Sequence, residues 1–89
     1  MKLTLSITNR SEVPRPVYVE PEGADYWMFP EQVFELRAEV AHDTDRFELW
    51  DNGDSIQVWP SAGMGFIAVF SESQELACGY QRPSTKLAD

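Results

Sequence analysis

Apolar and polar residues alternate with a period of two along most of this chain, and that pattern constrains its fold more than any other feature. In "KLTLSIT", Leu3, Leu5 and Ile7 share one face while Lys2, Thr4, Ser6 and Thr8 share the other. Successive side chains of an extended strand point to opposite faces, so the spacing predicts a strand with one face buried. In "RPVYVE", Val17 and Val19 oppose Tyr18 and Glu20 in the same way. Phe34, Leu36, Ala38 and Val40 then oppose Glu35, Arg37 and Glu39. A helix is the rival reading of "PEQVFELRAEVA", which contains good helix formers behind a Pro-Glu start. The period-two fit and the strand-like neighbours favour a strand.

Turn chemistry punctuates the strands. "NRS" reads as a turn, because Asn and Ser side chains bond neighbouring backbone groups. Pro14 and Pro16 lack backbone donors, which places them at a sheet edge or ahead of regular pairing. In "RFELWDNGDSIQVW", Asn52-Gly53 is the preferred pair for a type I′ hairpin turn. That register sets Leu49 opposite Ile56 and Phe47 opposite Val58 on an apolar face. Trp50 then lies across from Ser55, Glu48 from Gln57 and Arg46 from Trp59 on the other. After Pro60, "SAGMG" is a loop, "FIAVF" is a central strand apolar on both faces, and "SESQ" turns the chain into "ELACGY".

Short strands with turns this closely spaced predict an all-β fold, a small antiparallel β-sandwich or partly open barrel of about seven short strands. At 89 residues the chain is expected to make one domain over residues 1–82, with residues 83–89 a frayed polar tail. The predicted core is Leu3, Leu5, Ile7, Val17, Val19, Phe34, Leu36, Phe47, Leu49, Ile56, Val58 and Phe66.

The order N-R-S, V-E-P-E-G, D-Y-W-M-F-P-E-Q and V-W-P resembles that of short uncharacterised bacterial β-sandwich proteins. The resemblance implies a fold and attaches no activity to it. Immunoglobulin-like and cupredoxin-like sandwiches share the strand rhythm, which is too common to transfer function.

The net charge of −8 is unevenly placed. Residues 1–19 carry Lys2, Arg10 and Arg15 against Glu12, for +2. Residues 20–54 carry eleven acids against Arg37 and Arg46, for −9, and the remainder gives −1. Such acidity argues against nucleic acid and anionic membrane as partners and permits a basic protein. Solubility alone also accounts for it. The single cysteine, the lack of a continuous apolar stretch near the start, and the lack of any run near the ~18–20 apolar residues of a membrane span lead to an expected cytoplasmic location.

Catalytic and cofactor chemistry finds little support. A blue-copper centre needs two His and a Cys, and this chain has only His42 and Cys78. His42 is expected in an exposed loop and Cys78 in the core. No G-x-S-x-G elbow occurs, and "SAGMGF" lacks a phosphate-binding lysine. Asp43, Asp45, Asp51 and Asp54 are oxygen donors for Ca²⁺, but they flank the two ends of one strand and lack the EF-hand spacing. Glu20, Glu22, Asp25 and Glu31 read as a solvated acidic loop rather than a glycosidase pair. The expectation is no enzyme, no cofactor and no metal.

Two surfaces are candidates for protein binding or self-association. One is the hairpin face with Arg46, Glu48, Trp50, Gln57 and Trp59, where tryptophans mixed with polar groups match an interface centre. Arg46 across from Trp59 predicts a cation–π contact. The other is the acidic joint around Glu22, Asp25 and Trp27. There either Tyr26 with Met28 or Trp27 with Phe29 turns inward. The runner-up reading is an acidic inhibitor, immunity-type protein or nucleic-acid mimic that occupies a basic cleft.

Overall fold

The structure, a computed structural model, describes residues 1–83, so the expected tail lies outside the described residues except for Pro83. The described residues are all-β, with eight strands in two facing four-stranded sheets. The first sheet is ordered β1 (Lys2–Thr8), β4 (Val33–Glu39), β7 (Ala68–Ser71) and β8 (Gln74–Glu75). The second is ordered β3 (Ala24–Met28), β2 (Arg15–Val19), β6 (Ile56–Pro60) and β5 (Phe47–Asp51). The segment with a rival helical reading is strand β4. The antiparallel expectation fails at one pairing, because β2 and β6 run parallel. Pro16 sits one residue before the β2–β6 ladder begins at Val17 and Ile56, so its missing donor breaks no bond there.

Val17, Val19, Tyr26, Met28, Phe34, Leu36, Ala38, Ile56, Val58, Ile67 and Val69 fill the space between the sheets. Six of the twelve predicted core residues are among them, and Tyr26 with Met28 is the inward pair of its strand. The other six require correction. Leu3, Leu5 and Ile7 face inward beside Ala38, Leu36 and Phe34 but stay half-buried, because β1 is an edge strand. Phe47 is likewise half-buried, and Leu49 is 42% exposed, because β5 forms the edge of its own sheet. Phe66 is 88% exposed. In "FIAVF" it is Ile67 and Val69 that turn inward, and among the described residues no third layer covers the opposite face. Phe70 on that face is covered by the Arg37 guanidinium, 3.9 Å from its ring centroid.

Asn9, one residue past β1, is fully buried and fully bonded. Its Nδ2 donates to the carbonyls of Val13 and Met28, both at 2.8 Å, and its Oδ1 accepts from the Ser11 backbone and hydroxyl. The "NRS" turn thus forms as its side chains predict, and it ties the two sheets together.

The Asn52-Gly53 hairpin forms, but its register is shifted. Leu49 pairs with Val58, Trp50 with Gln57 and Glu48 with Trp59, not with Ile56, Ser55 and Gln57. Asn52 N–H donates to the Ser55 carbonyl at 2.8 Å, so Gly53-Asp54 is the two-residue loop. Only Gly53 has a positive φ there (88°), which is the type II′ pattern with glycine first. Asp51 helps select it by accepting the Gly53 N–H at 2.9 Å and the Arg15 guanidinium at 2.7 Å. Those two contacts hold its carboxyl below the usual carboxylate range, the backbone donor contributing most. A shift of two residues keeps every side chain on its predicted face.

Beyond β8 the chain crosses to the second sheet. Tyr80 bridges Tyr26, accepts the Trp27 backbone N–H at 2.9 Å, and sets its ring edge-on to Phe34 at 5.9 Å. The free edge of β3 is thereby covered, whereas among the described residues β1 and β5 end their sheets with no strand beyond them.

Candidate functional site

The outer face of the β3-β2-β6-β5 sheet gathers all three tryptophans. Strand alternation buries Val17, Val19, Tyr26, Met28, Ile56 and Val58, so Tyr18, Trp27, Gln57 and Trp59 must turn outward. The register aligns Asp25, Tyr18, Gln57 and Trp50 in one row across four strands. Trp59 stands with Glu48 in the next row, and Trp27 stands beside Pro16. Trp50 is 52% exposed and Trp59 37%, values far from those of core aromatics. At one end of the face Pro14, Pro16, Tyr18, Trp27, Asp54 and Ser55 line a groove of about 360 Å³.

Polar groups fix the aromatic rings. Trp50 Nε1 donates to Glu48 Oε2 at 2.9 Å, and Trp27 Nε1 donates to Asp25 Oδ2 at 3.0 Å. In both cases the carboxylate lies two residues earlier on the same strand face. Such a bond satisfies the indole N–H and restrains the side chain, so less freedom is lost when a partner covers the ring. Gln57 Nε2 donates to Glu20 Oε2 at 3.2 Å, and its Oε1 accepts from Asn52 Nδ2 at 3.3 Å. The face is therefore apolar at its rings and bonded between them.

The two candidate surfaces are one. Asp25 and Trp27, expected in a separate acidic joint, lie on the sheet that carries Trp50 and Trp59. Glu22 is exposed in the β2–β3 turn at the end of this face. Arg46 is corrected. The shifted register sets it by Ser61, whose N–H donates to the Arg46 carbonyl at 3.1 Å, while Trp59 lies across from Glu48. The predicted Arg46–Trp59 pair does not form.

Asp25 is also corrected, since it is not a solvated acid. Its side chain is 13% exposed and accepts two bonds from Arg82, from Nη2 at 2.6 Å and Nε at 2.8 Å. The Arg82 guanidinium holds the Asp25 carboxyl far below the usual carboxylate range, with the Trp27 indole assisting and burial opposing. Tyr18 is the member that the site prediction omitted. Its place opposite Val17 and Val19 in "RPVYVE" was the available signal. Arg82 carried no such signal, since nothing near it is periodic.

The remaining acids of residues 20–54 are distributed over the molecule. Glu35 is bound to Arg37, Glu39 to Lys2 and the N-terminus, and Asp45 to the backbone of Ala41 and His42. His42 is exposed beside Gly63. Cys78 is exposed rather than buried, with Sγ 3.6 Å from Asp25 Oδ1. Among the described residues no group of three His, Cys, Asp or Glu side chains converges on one point. None of the described residues forms a helix long and apolar enough to cross a membrane. The chain matches no protein-family model, no curated protein and no solved structure in the comparisons made.

Proposed function

We propose that this chain is a non-enzymatic protein-interaction module whose working surface is the outer face of the β3-β2-β6-β5 sheet. One observation carries the reading: Trp27, Trp50 and Trp59 share that face with Tyr18, and two of the indoles are pre-bonded to carboxylates. Tryptophan and tyrosine dominate the energetic centres of interfaces, whereas a face meant only for water carries few of them. Glu20 and Glu48 among the rings, with Glu22 beside them, favour a basic partner. Long-range attraction between such charges is screened by salt. The test is affinity capture from the native cell at two salt concentrations, with the wild-type chain and a Trp50→Ser/Trp59→Ser variant. A partner retained by the wild type, lost by the variant and weakened by salt supports the reading. Equal retention by both chains refutes it.

A further inference from the structure

A second surface, on the sheet that carries no tryptophan, has the geometry for pairing with another copy of the chain. Of the four sheet edges, two are protected. The residues around Tyr80 cover β3, and β8 is only two residues long. Among the described residues the open edges are β1, seven residues long, and β5. Natural sheets defend such edges with charges, prolines, bulges or covering segments, and among the described residues β1 has only Lys2, at its very start.

The hydrogen-bond phase of β1 shows which groups are free. Val40 N–H donates to the Met1 carbonyl at 2.8 Å, and Asn9 N–H donates to the Gln32 carbonyl at 3.0 Å. Both pairs belong to the β1–β4 register, so the odd-numbered residues of β1 bond β4. The backbone N–H and C=O groups of Lys2, Thr4, Ser6 and Thr8 therefore point out of the sheet edge.

We propose that β1 pairs antiparallel with β1 of a second copy about a two-fold axis at Leu5. That register joins Thr4 to Ser6 and Lys2 to Thr8 of the other copy through their outward backbone groups. Leu5 then meets its own mate, and Leu3 meets Ile7. The phase is self-consistent, because residues with outward groups pair only with one another. The two first sheets become one continuous sheet, and Leu3, Leu5 and Ile7 gain the cover that the monomer leaves incomplete.

Charge selects β1 over β5 for this role. Two chains of net charge −8 repel each other, and β5 would bring Glu48 and Asp51 to the seam. The β1 edge carries only Lys2, already bound to Glu39 at 3.4 Å, and pairing sets it opposite a threonine. Strand pairing alone makes a small contact, so the dimer dissociates on dilution.

Sedimentation velocity from low-micromolar to near-millimolar protein tests the pairing. The wild type and the Trp50→Ser/Trp59→Ser variant should both shift from monomer to dimer, which separates this contact from the tryptophan face. Ser6→Pro removes an outward N–H that β4 does not use, so the fold should persist while association weakens about tenfold or more. Hydrogen exchange on the wild type provides a second readout that needs no variant. The Thr4, Ser6 and Thr8 amides should become protected as concentration rises, while the Leu5 amide is protected throughout. A wild type that stays monomeric, an undiminished dimer in Ser6→Pro, or concentration-dependent protection on β5 instead of β1 would overturn the proposal.

Discussion

Asp25 on β3 grips Arg82, 57 residues further along, through two hydrogen bonds of 2.6 and 2.8 Å, one to each carboxylate oxygen. The same carboxylate accepts the Trp27 indole, and its backbone carbonyl accepts the Gly79 N–H at 2.6 Å. One residue thus closes the exposed edge of β3 and orients a ring of the candidate site.

The pH dependence of stability follows from that grip. Arg82 depresses the folded-state pKa of Asp25, so the stabilisation is fully present above the ordinary aspartate value near 3.9. It is lost as pH falls through the depressed folded value. Asp25→Asn should therefore lower the thermal midpoint at pH 7 by several degrees, and the gap from the wild type should narrow steadily below about pH 4. Melting curves from pH 7 down to pH 2 check this. A gap that is constant across the range contradicts it.

The hairpins show where the sequence was legible and where it was not. Asn52-Gly53 announced a turn at the right place, and period-two alternation sorted Phe47, Leu49, Ile56 and Val58 from Trp50, Gln57 and Trp59. The pattern is blind to a two-residue slip, which leaves the faces intact, so it could not see that the Asp51 bonds favour Gly53-Asp54 as the loop. The type I′ geometry appears instead at Glu72-Ser73, between β7 and β8, where φ is 51° and 69°. Neither residue advertises that conformation.

A left-handed backbone costs an ordinary L-residue about 1–2 kcal/mol relative to glycine. Ser73→Gly should accordingly stabilise the protein by about 1 kcal/mol, offset in part by the greater freedom of glycine in the unfolded chain. Glu72→Asn added to it should raise stability further. Denaturant unfolding measures both. A destabilised Ser73→Gly protein would show that the serine side chain contributes more than the strain removes.

Edge position explains the core assignments that failed. Parity identifies the inward residues of a strand but not how far the facing sheet extends over them, so Leu49 was expected in the core alongside Leu36. Leu36→Ala, at a fully buried site on a central strand, should cost about 2–5 kcal/mol. Leu49→Ala should cost about 1 kcal/mol or less, since much of that side chain is already in water. Urea midpoints of the two variants give the comparison. Equal losses would contradict the placement of β5 as an open edge.

Parity was also what made the candidate site partly legible. It set Trp50 and Trp59 on one face of the hairpin, but the joining of Trp27 and Tyr18 to them depends on the parallel β2–β6 pairing, a contact between distant segments with no local signature. The Asp25–Arg82 grip is equally nonlocal.

The proposed function requires the outer tryptophan face to be a surface for partners and not a support of the fold. The most direct measurement is quantitative affinity capture with the Trp50→Ser/Trp59→Ser variant, run beside its far-ultraviolet circular dichroism and thermal midpoint. The expected result is a β-rich spectrum and a midpoint near that of the wild type, together with loss of the captured partner. A variant that unfolds, or one that is folded and still retains the partner, would contradict it.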